Sequence, residues 1–227
     1  YGKTISFANA SNQRQGIDKD VRDLVADMNG NRVDALVVLG ANPAFDLPDA
    51  AGFIAGAANV ALKVSTASLM DETSALCNYI APASHYLESW GDAEPKQGHF
   101  SLIQPTIHPL FDTREAGLSI LNWTGSANLN KNSDSPYYDY IKQTWNVAFA
   151  QQTTFGSFRT FWDNALHNGV FEAPSATQGI GASETVNVAG IKVSQPLSSE
   201  LEISFFETIN MGAGQFATNP WLMEMPD

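Results

Sequence analysis

Three short apolar runs constrain the fold of this chain more than any other feature. They are "DALVVLG" at 34 to 40, "VALKVSTAS" at 60 to 68 and "NYIAPA" at 78 to 83. Short continuous runs of this kind fit strands buried on both faces, as in parallel sheets. Each follows a segment of helical character. Val21, Leu24, Val25 and Met28 recur at i, i+3, i+4 and i+7, which predicts an amphipathic helix over 17 to 29. Asp18 and Asp20 suit its positive N-terminal end, and Asn29-Gly30 suits its stop. Asp49 is a cap for a second helix with Phe53, Ile54 and Ala57 on the inner face. "MDETSALC", 70 to 77, reads as a short third helix. Helix and strand in alternation is the grammar of an open α/β sheet.

Beyond residue 83 the order is less regular. "HFSLIQP", 99 to 105, reads as a strand, and 113 to 123 as a helix. Residues 124 to 136 are polar and rich in turn formers, so they read as a loop or linker. Residues 137 to 152 read as helical. In 155 to 168, Phe155, Phe158, Phe161, Trp162, Ala165 and Leu166 form one stripe, the mark of a core-facing helix. Residues 173 to 184 read as a loop, 185 to 195 as a hairpin turning at Ala189-Gly190, and 201 to 209 as a last strand. The fold expected is α/β: an open, mostly parallel, Rossmann-like sheet flanked by helices, with a smaller helical and β-hairpin C-terminal part. The expected division is an α/β domain over 1–125 and a helical extension plus β segment over 126–227, packed on the same core.

Composition narrows the function classes. Twenty-four acidic residues face 12 basic ones, for a net charge of -12. Such a surface repels nucleic-acid backbones and anionic headgroups, so no nucleic-acid partner is expected. No apolar run reaches the roughly 18 residues of a membrane helix. Cys77 is the single cysteine, so an iron–sulfur cluster or thiolate zinc site of the usual kind has too few ligands here. The chain starts at Tyr1 and stops just after an apolar cluster, which reads as a segment of a longer polypeptide.

The candidate ligand site is "VVLGANPAFDLP", 37 to 48. A strand ending at Gly40 and followed by a helix puts backbone N–H groups at the C-terminal edge of the sheet, where open α/β folds bind ligands. The loop lacks Gly-x-Gly-x-x-Gly and the Gly-Lys-Ser/Thr of a P-loop, so on pattern alone it reads as a tight structural turn. His85, Glu88, Asp92, Glu94, His99 and His108 lie near one another in sequence, but their spacing matches no metal signature. A hydrogen-bonded loop is the favoured reading, and no metal ligands are assigned. No Gly-x-Ser-x-Gly elbow and no carboxylate pair stand out, so no catalytic residue is assigned.

Longer stretches carry a resemblance. "VDALVVLGANPAFDLP", then "MDETSALCNYIAPASHYLESWGDAE", then "GHFSLIQPTIHPLFDTREA" resemble the molybdopterin oxidoreductase family over residues 30 to 125. That family has a strand ending in Gly-x-Asn-Pro, here Gly40-Ala41-Asn42-Pro43. It has a Thr-Glu-Thr segment leading to Leu-Pro-Ala, here Asp71-Glu72-Thr73 through Ala81-Pro82-Ala83. A glutamate follows, here Glu88, then a Gly-rich turn entering a strand, here Gly98 through Gln104. "NPWLMEMPD", 219 to 227, is similar to a segment of some members; 126 to 215 match loosely. The middle block is closest to the molybdopterin-oxidoreductase-like half of the large iron–sulfur subunit of alternative complex III, a quinol oxidoreductase.

That resemblance implies a periplasmic, peripheral electron-transfer subunit. Its iron–sulfur clusters would lie elsewhere in the polypeptide. Its partners would be a multihaem cytochrome c and membrane quinol-binding subunits. This segment would hold no cofactor and do no chemistry itself. Three departures from the active family point the same way. Asn78 replaces an aspartate, and His85 stands where small residues are common. His99 replaces the arginine of an Asn-x-Glu-Gly-Arg run that grips the cofactor. The leading expectation is a scaffold and docking module, its 40–48 loop filled by side chains with Phe45 as the plug. The alternative is a domain of an active enzyme dependent on molybdopterin guanine dinucleotide, with Gly40, Asn42 and Pro43 contacting that cofactor. A third reading is an unrelated α/β protein binding a small anion at the Gly40 loop.

Overall fold

In the computed structural model, the residues described are 10–13, 15–173, 203, 206, 211, 212, 214, 216 and 219–225. The chain forms two compact units, Tyr1–Ile180 and Gly181–Asp227. In the second, the described residues include one short helix, Pro220–Met223, whose start is capped by Asn219 accepting from the Trp221 N–H at 3.1 Å. The expected loop at 173 to 184 and hairpin at 185 to 195 lie outside the described residues, Ala173 excepted. The expected strand at 201 to 209 does too, except for Ile203 and Phe206, neither of which is in a strand.

The first unit opens with helix α1, Asp18–Asn29, ended by Gly30, whose N–H returns to Ala26 O. Its stripe is buried at one end only. Met28 is fully covered, whereas Val21 and Leu24 are exposed. Strand β1, Ala35–Val38, runs into the single-turn helix α2, Pro43–Asp46, and helix α3, Ala50–Ala58. Asp49 caps α3 as expected, its carboxylate accepting from Gly52 N at 3.0 Å. Strands β2, Leu62–Ser65, and β3, Tyr79–Ile80, follow. The three strands pair in parallel in the order β1-β2-β3, with Val37 opposite Val64 and Val64 opposite Tyr79. Met28, Phe53, Ala57 and Val60 form the core on one face, with Leu36 packed against them.

Three details of this half differ from expectation. The sheet is not buried on both faces: Val37, Leu62 and Tyr79 are open to solvent. Ile54 of α3 is likewise exposed, while Phe53 and Ala57 are buried. The helix expected at 70 to 77 is a single 3₁₀ turn, Ser74–Leu76. Asp71 and Ser74 trade bonds there, Ser74 N to Asp71 Oδ1 at 2.6 Å and Asp71 N to Ser74 Oγ at 2.7 Å. Such local side-chain bonds offer the backbone an alternative to helix propagation.

A second sheet is antiparallel and was not fully anticipated. It joins β4, Gly91–Lys96, β5, His99–Ile103, and β6, Val170–Glu172, in that order. β4 escapes a pattern reading because it carries Pro95 and alternating charge, and its pairing with β5 is irregular between Ala93 and Lys96. Proline is tolerated on such an outer strand. Gly98, at φ +81°, makes the tight turn between β4 and β5. Helices α4, Ala116–Trp123, α5, Pro136–Thr144, α6, Asn146–Ala150, and α7, Phe158–Asn168, complete the unit. The helix expected over 137 to 152 is thus α5 and α6, divided at Trp145.

The α7 stripe packs as expected. Phe161, Trp162 and Ala165 are buried with Ile141, Trp145 and Ala148, and Phe100, Leu102 and Phe171 of the sheet close the cluster. Phe161 and Phe171 meet edge to face with centroids 4.9 Å apart. The indole N–H groups are satisfied, Trp145 to Asp92 Oδ2 and Trp162 to the Tyr138 hydroxyl, each at 3.0 Å. Because Phe161 is at the centre of this cluster, Phe161→Ala should destabilise the first unit by about 3–5 kcal/mol. Chemical denaturation checks this; a loss below about 1 kcal/mol would contradict the assigned core.

Candidate functional site

The candidate site is the turn from β1 into α2. Gly40 sits at φ +57°, a left-handed conformation that favours glycine, and a Cβ there would meet nothing within 4 Å. The backbone therefore requires this glycine, with no crowding needed to explain it. Its N–H points to Thr66 Oγ1 at 3.3 Å, and Thr66 N donates to Val38 O at 3.0 Å, so the ends of β1 and β2 are tied together.

Asn42 is the hub. Its Oδ1 accepts from Thr73 N at 3.1 Å and from Thr73 Oγ1 at 2.7 Å. Its Nδ2 donates to Glu72 Oε2 at 2.7 Å. Its backbone carbonyl accepts from Phe45 N and Asp46 N, closing the turn of α2. Pro43 occupies the first helical position, where its missing N–H costs nothing. Thr73 Oγ1 also accepts from Ala44 N at 2.9 Å, and both Thr73 and Ala44 are buried. Asn42, Thr73 and Glu72 thus form a latch between the β1 loop and the 3₁₀ turn.

The latch shapes the electrostatics. The Asn42 hydrogen bond, helped by a backbone bond, holds the Glu72 carboxyl below its ordinary range, so Glu72 carries its negative charge beside the loop. Among the described residues, no Lys or Arg is bonded to residues 40 to 47. Phe45 is not a plug. It is 45% exposed, because the turn of α2 points Ala44 inward and its neighbour outward.

The remaining candidates are dispersed into structural tasks. Glu88 is buried, and its carboxylate accepts from His85 N at 3.3 Å and Leu110 N at 3.2 Å, pinning two loops together. Asp92 takes the Trp145 indole and Glu94 takes Gly98 N at 2.7 Å. His99 lies in β5 and bonds Glu172 of β6 through Nδ1, and that bond is the main cause of the lowered Glu172 pKa. Asn78 accepts from Lys63 N at 2.8 Å and so aligns β2 with β3, a task that needs only an oxygen acceptor. Among the described residues no three metal-ligating side chains converge. Burial pushes the Cys77 thiol pKa up, away from thiolate character. Thr66, which helps hold the loop, was not singled out in the sequence; Thr73 entered there only within the Asp71-Glu72-Thr73 motif.

The loop is therefore a strand-to-helix turn of an α/β domain, at the sheet edge where such domains bind ligands, and its Gly40 N–H and Asn42 side chain bond to the protein itself. The chain is similar to the menaquinone reductase molybdopterin-binding-like subunit of Nitratidesulfovibrio vulgaris, with 27% identity over 178 residues. The match covers 71% of this chain, and the chain spans about a quarter (26%) of that relative. Among solved structures it is similar to acetylene hydratase from Pelobacter acetylenicus, at 14% identity and a TM-score of 0.45, covering 67% of this chain and 20% of that one. No family model matches the chain.

Two outcomes follow from the latch. Asn42→Ala leaves the buried Thr73 donors unsatisfied and should cost about 1–3 kcal/mol by denaturant titration. Glu72 has a lowered folded pKa, so its contribution is complete above the ordinary glutamate range. It is lost as pH falls through the lowered value. Glu72→Gln should therefore flatten part of the acid limb of stability against pH; an unchanged acid limb would contradict the bond.

Proposed function

We propose that this chain is a cofactor-less, molybdopterin-oxidoreductase-like domain acting as scaffold and docking module in a membrane-associated quinol oxidoreductase. The similarity to a molybdopterin-binding-like subunit of a menaquinone reductase supports the family and the quinone connection. The quoted motifs support a large electron-transfer subunit of the alternative complex III kind, on the periplasmic side of the membrane. Its partners would be a multihaem cytochrome c and quinol-binding membrane subunits, and its iron–sulfur clusters would lie in other parts of the full polypeptide. Among the described residues no helix is long and apolar enough to cross a membrane. The open parallel sheet is read as the Rossmann-like portion of the domain.

The observation that carries the cofactor-less reading is the state of Asn42. A guanine dinucleotide presents a pyrophosphate that needs donors or cations. The Asn42 amide is engaged at both ends, and the Gly40 N–H is turned to Thr66. The carboxylate of Glu72 adds negative charge where a pyrophosphate needs the opposite. His99, which stands where the resemblance has an arginine, is committed to Glu172. These residues do not fit a bound pyrophosphate.

The test is to purify the full-length protein from a host that makes the molybdenum cofactor and to assay molybdenum and pterin. Less than about one tenth of an equivalent of each is expected, on the order set by adventitious binding. One equivalent of both would overturn the reading.

A further inference from the structure

The chain has two Asn-Gly pairs, Asn29-Gly30 and Asn168-Gly169, and each closes a helix. Asparagine before glycine is the pair most prone to cyclise, because glycine puts no side chain in the way as its nitrogen attacks the asparagine Cγ. In both pairs the glycine N–H is bonded within the last helical turn, Gly30 to Ala26 O at 2.9 Å and Gly169 to Ala165 O at 2.8 Å. That turn must open before either pair reacts, and helix ends are where local opening is least costly. The surroundings of the amide then separate the two pairs.

At Asn29 they oppose the reaction. Nδ2, the nitrogen that would leave, donates to Val25 O at 2.8 Å and to Gly52 O at 3.0 Å, which ties α1 to α3. The space beside Gly30 is taken, since a Cβ there would lie 2.2 Å from Nη1 of Arg32. Among the described residues no donor is bonded to Asn29 Oδ1.

At Asn168 they favour it. The residue is exposed at the end of α7. Gly169 has a left-handed φ of +74°, and a Cβ there would meet nothing within 4 Å, so a ring has room to form. His167 Nδ1 lies 3.0 Å from Asn168 Oδ1. An amide oxygen only accepts, so Nδ1 is the donor, and it faces the atom on which negative charge builds. Asn168 Nδ2 donates to the exposed Asn164 Oδ1 at 3.0 Å, which holds the amide plane in place.

We propose that Asn168 is a site of spontaneous deamidation, assisted by His167 and faster than Asn29. The Gly169 nitrogen gives its proton to solvent and bonds to Asn168 Cγ. Charge builds on Oδ1 beside the His167 N–H. The Cγ–Nδ2 bond breaks, Nδ2 takes a proton from solvent, and ammonia leaves a succinimide. Water opens that ring to aspartate or isoaspartate, with no oxidant or reductant involved. Either product puts a carboxylate at the negative end of the α7 dipole. Isoaspartate also adds a methylene to the backbone just before Gly169, whose carbonyl accepts from Leu102 N at 2.8 Å where β6 joins β5. The modification thus loosens the junction of α7 and β6. It stands apart from the functional reading of the Gly40 loop.

The test is peptide mapping by mass spectrometry of the full-length protein aged at neutral pH. Conversion at Asn168 should be on the order of tenfold faster than at Asn29. Equal or slower conversion at Asn168 would overturn the proposal. His167→Ala, at an exposed position, should slow Asn168 severalfold and leave Asn29 unchanged; an unchanged Asn168 rate would remove His167 from the reaction. In denaturant the gap between the two pairs should narrow, and a gap as wide as in the folded protein would overturn the structural account. The isoaspartate-bearing fraction, separated by ion exchange, should unfold at a lower Tm; an unchanged Tm would overturn the effect on α7 and β6.

Discussion

The bond network around Asn42 is the interaction on which the N-terminal half of the molecule depends. One amide side chain joins the end of β1, the start of α2 and the 3₁₀ turn that feeds β3. Thr73 completes it by accepting from Ala44, so two loops share one small set of donors and acceptors around the buried Thr73 and Ala44. Partly satisfied, such a buried network would be costly; satisfied, it fixes a single loop arrangement. That arrangement commits the Asn42 side chain to Thr73 and Glu72.

The second half is held by different physics. Its core is aromatic, with Trp145, Trp162, Phe161 and Phe171 meeting mostly edge to face or tilted across the antiparallel sheet. Polar atoms enter only where an indole needs a partner. Asp92 takes the Trp145 N–H, which explains why an acidic residue from the candidate metal group is turned towards a core tryptophan. The residues that looked like scattered ligands in the sequence are mostly ties between loops and strands: Glu88 for two loops, Glu94 for the Gly98 turn, His99 for β6.

Much of this was legible beforehand where it depended on local pattern. The α7 stripe, the Asp49 cap and the three parallel strands each follow from residues close together in the chain. What was hidden depends on distant partners. Asn42 and Thr73 are 31 residues apart, and nothing in either segment alone announces their bond. Phe45 looked like a plug because it is large and apolar. A single helical turn instead buried the small Ala44 beside it and left the ring outside. β4 was missed because Pro95 and its charges disguise an outer strand. The expectation of a sheet buried on both faces assumed helices on each side, whereas α1, α2 and α3 gather with Leu36 in one cluster and Val37, Leu62 and Tyr79 stay exposed.

The central claim is that the Gly40–Asn42 turn is closed to a guanine-linked pyrophosphate by its own hydrogen bonds. Guanosine diphosphate carries that chemistry in a soluble form. Thermal unfolding of the purified protein should be unchanged by millimolar guanosine diphosphate, since a ligand that binds neither state shifts no equilibrium. A concentration-dependent rise in Tm that disappears in Asn42→Ala would contradict the account directly.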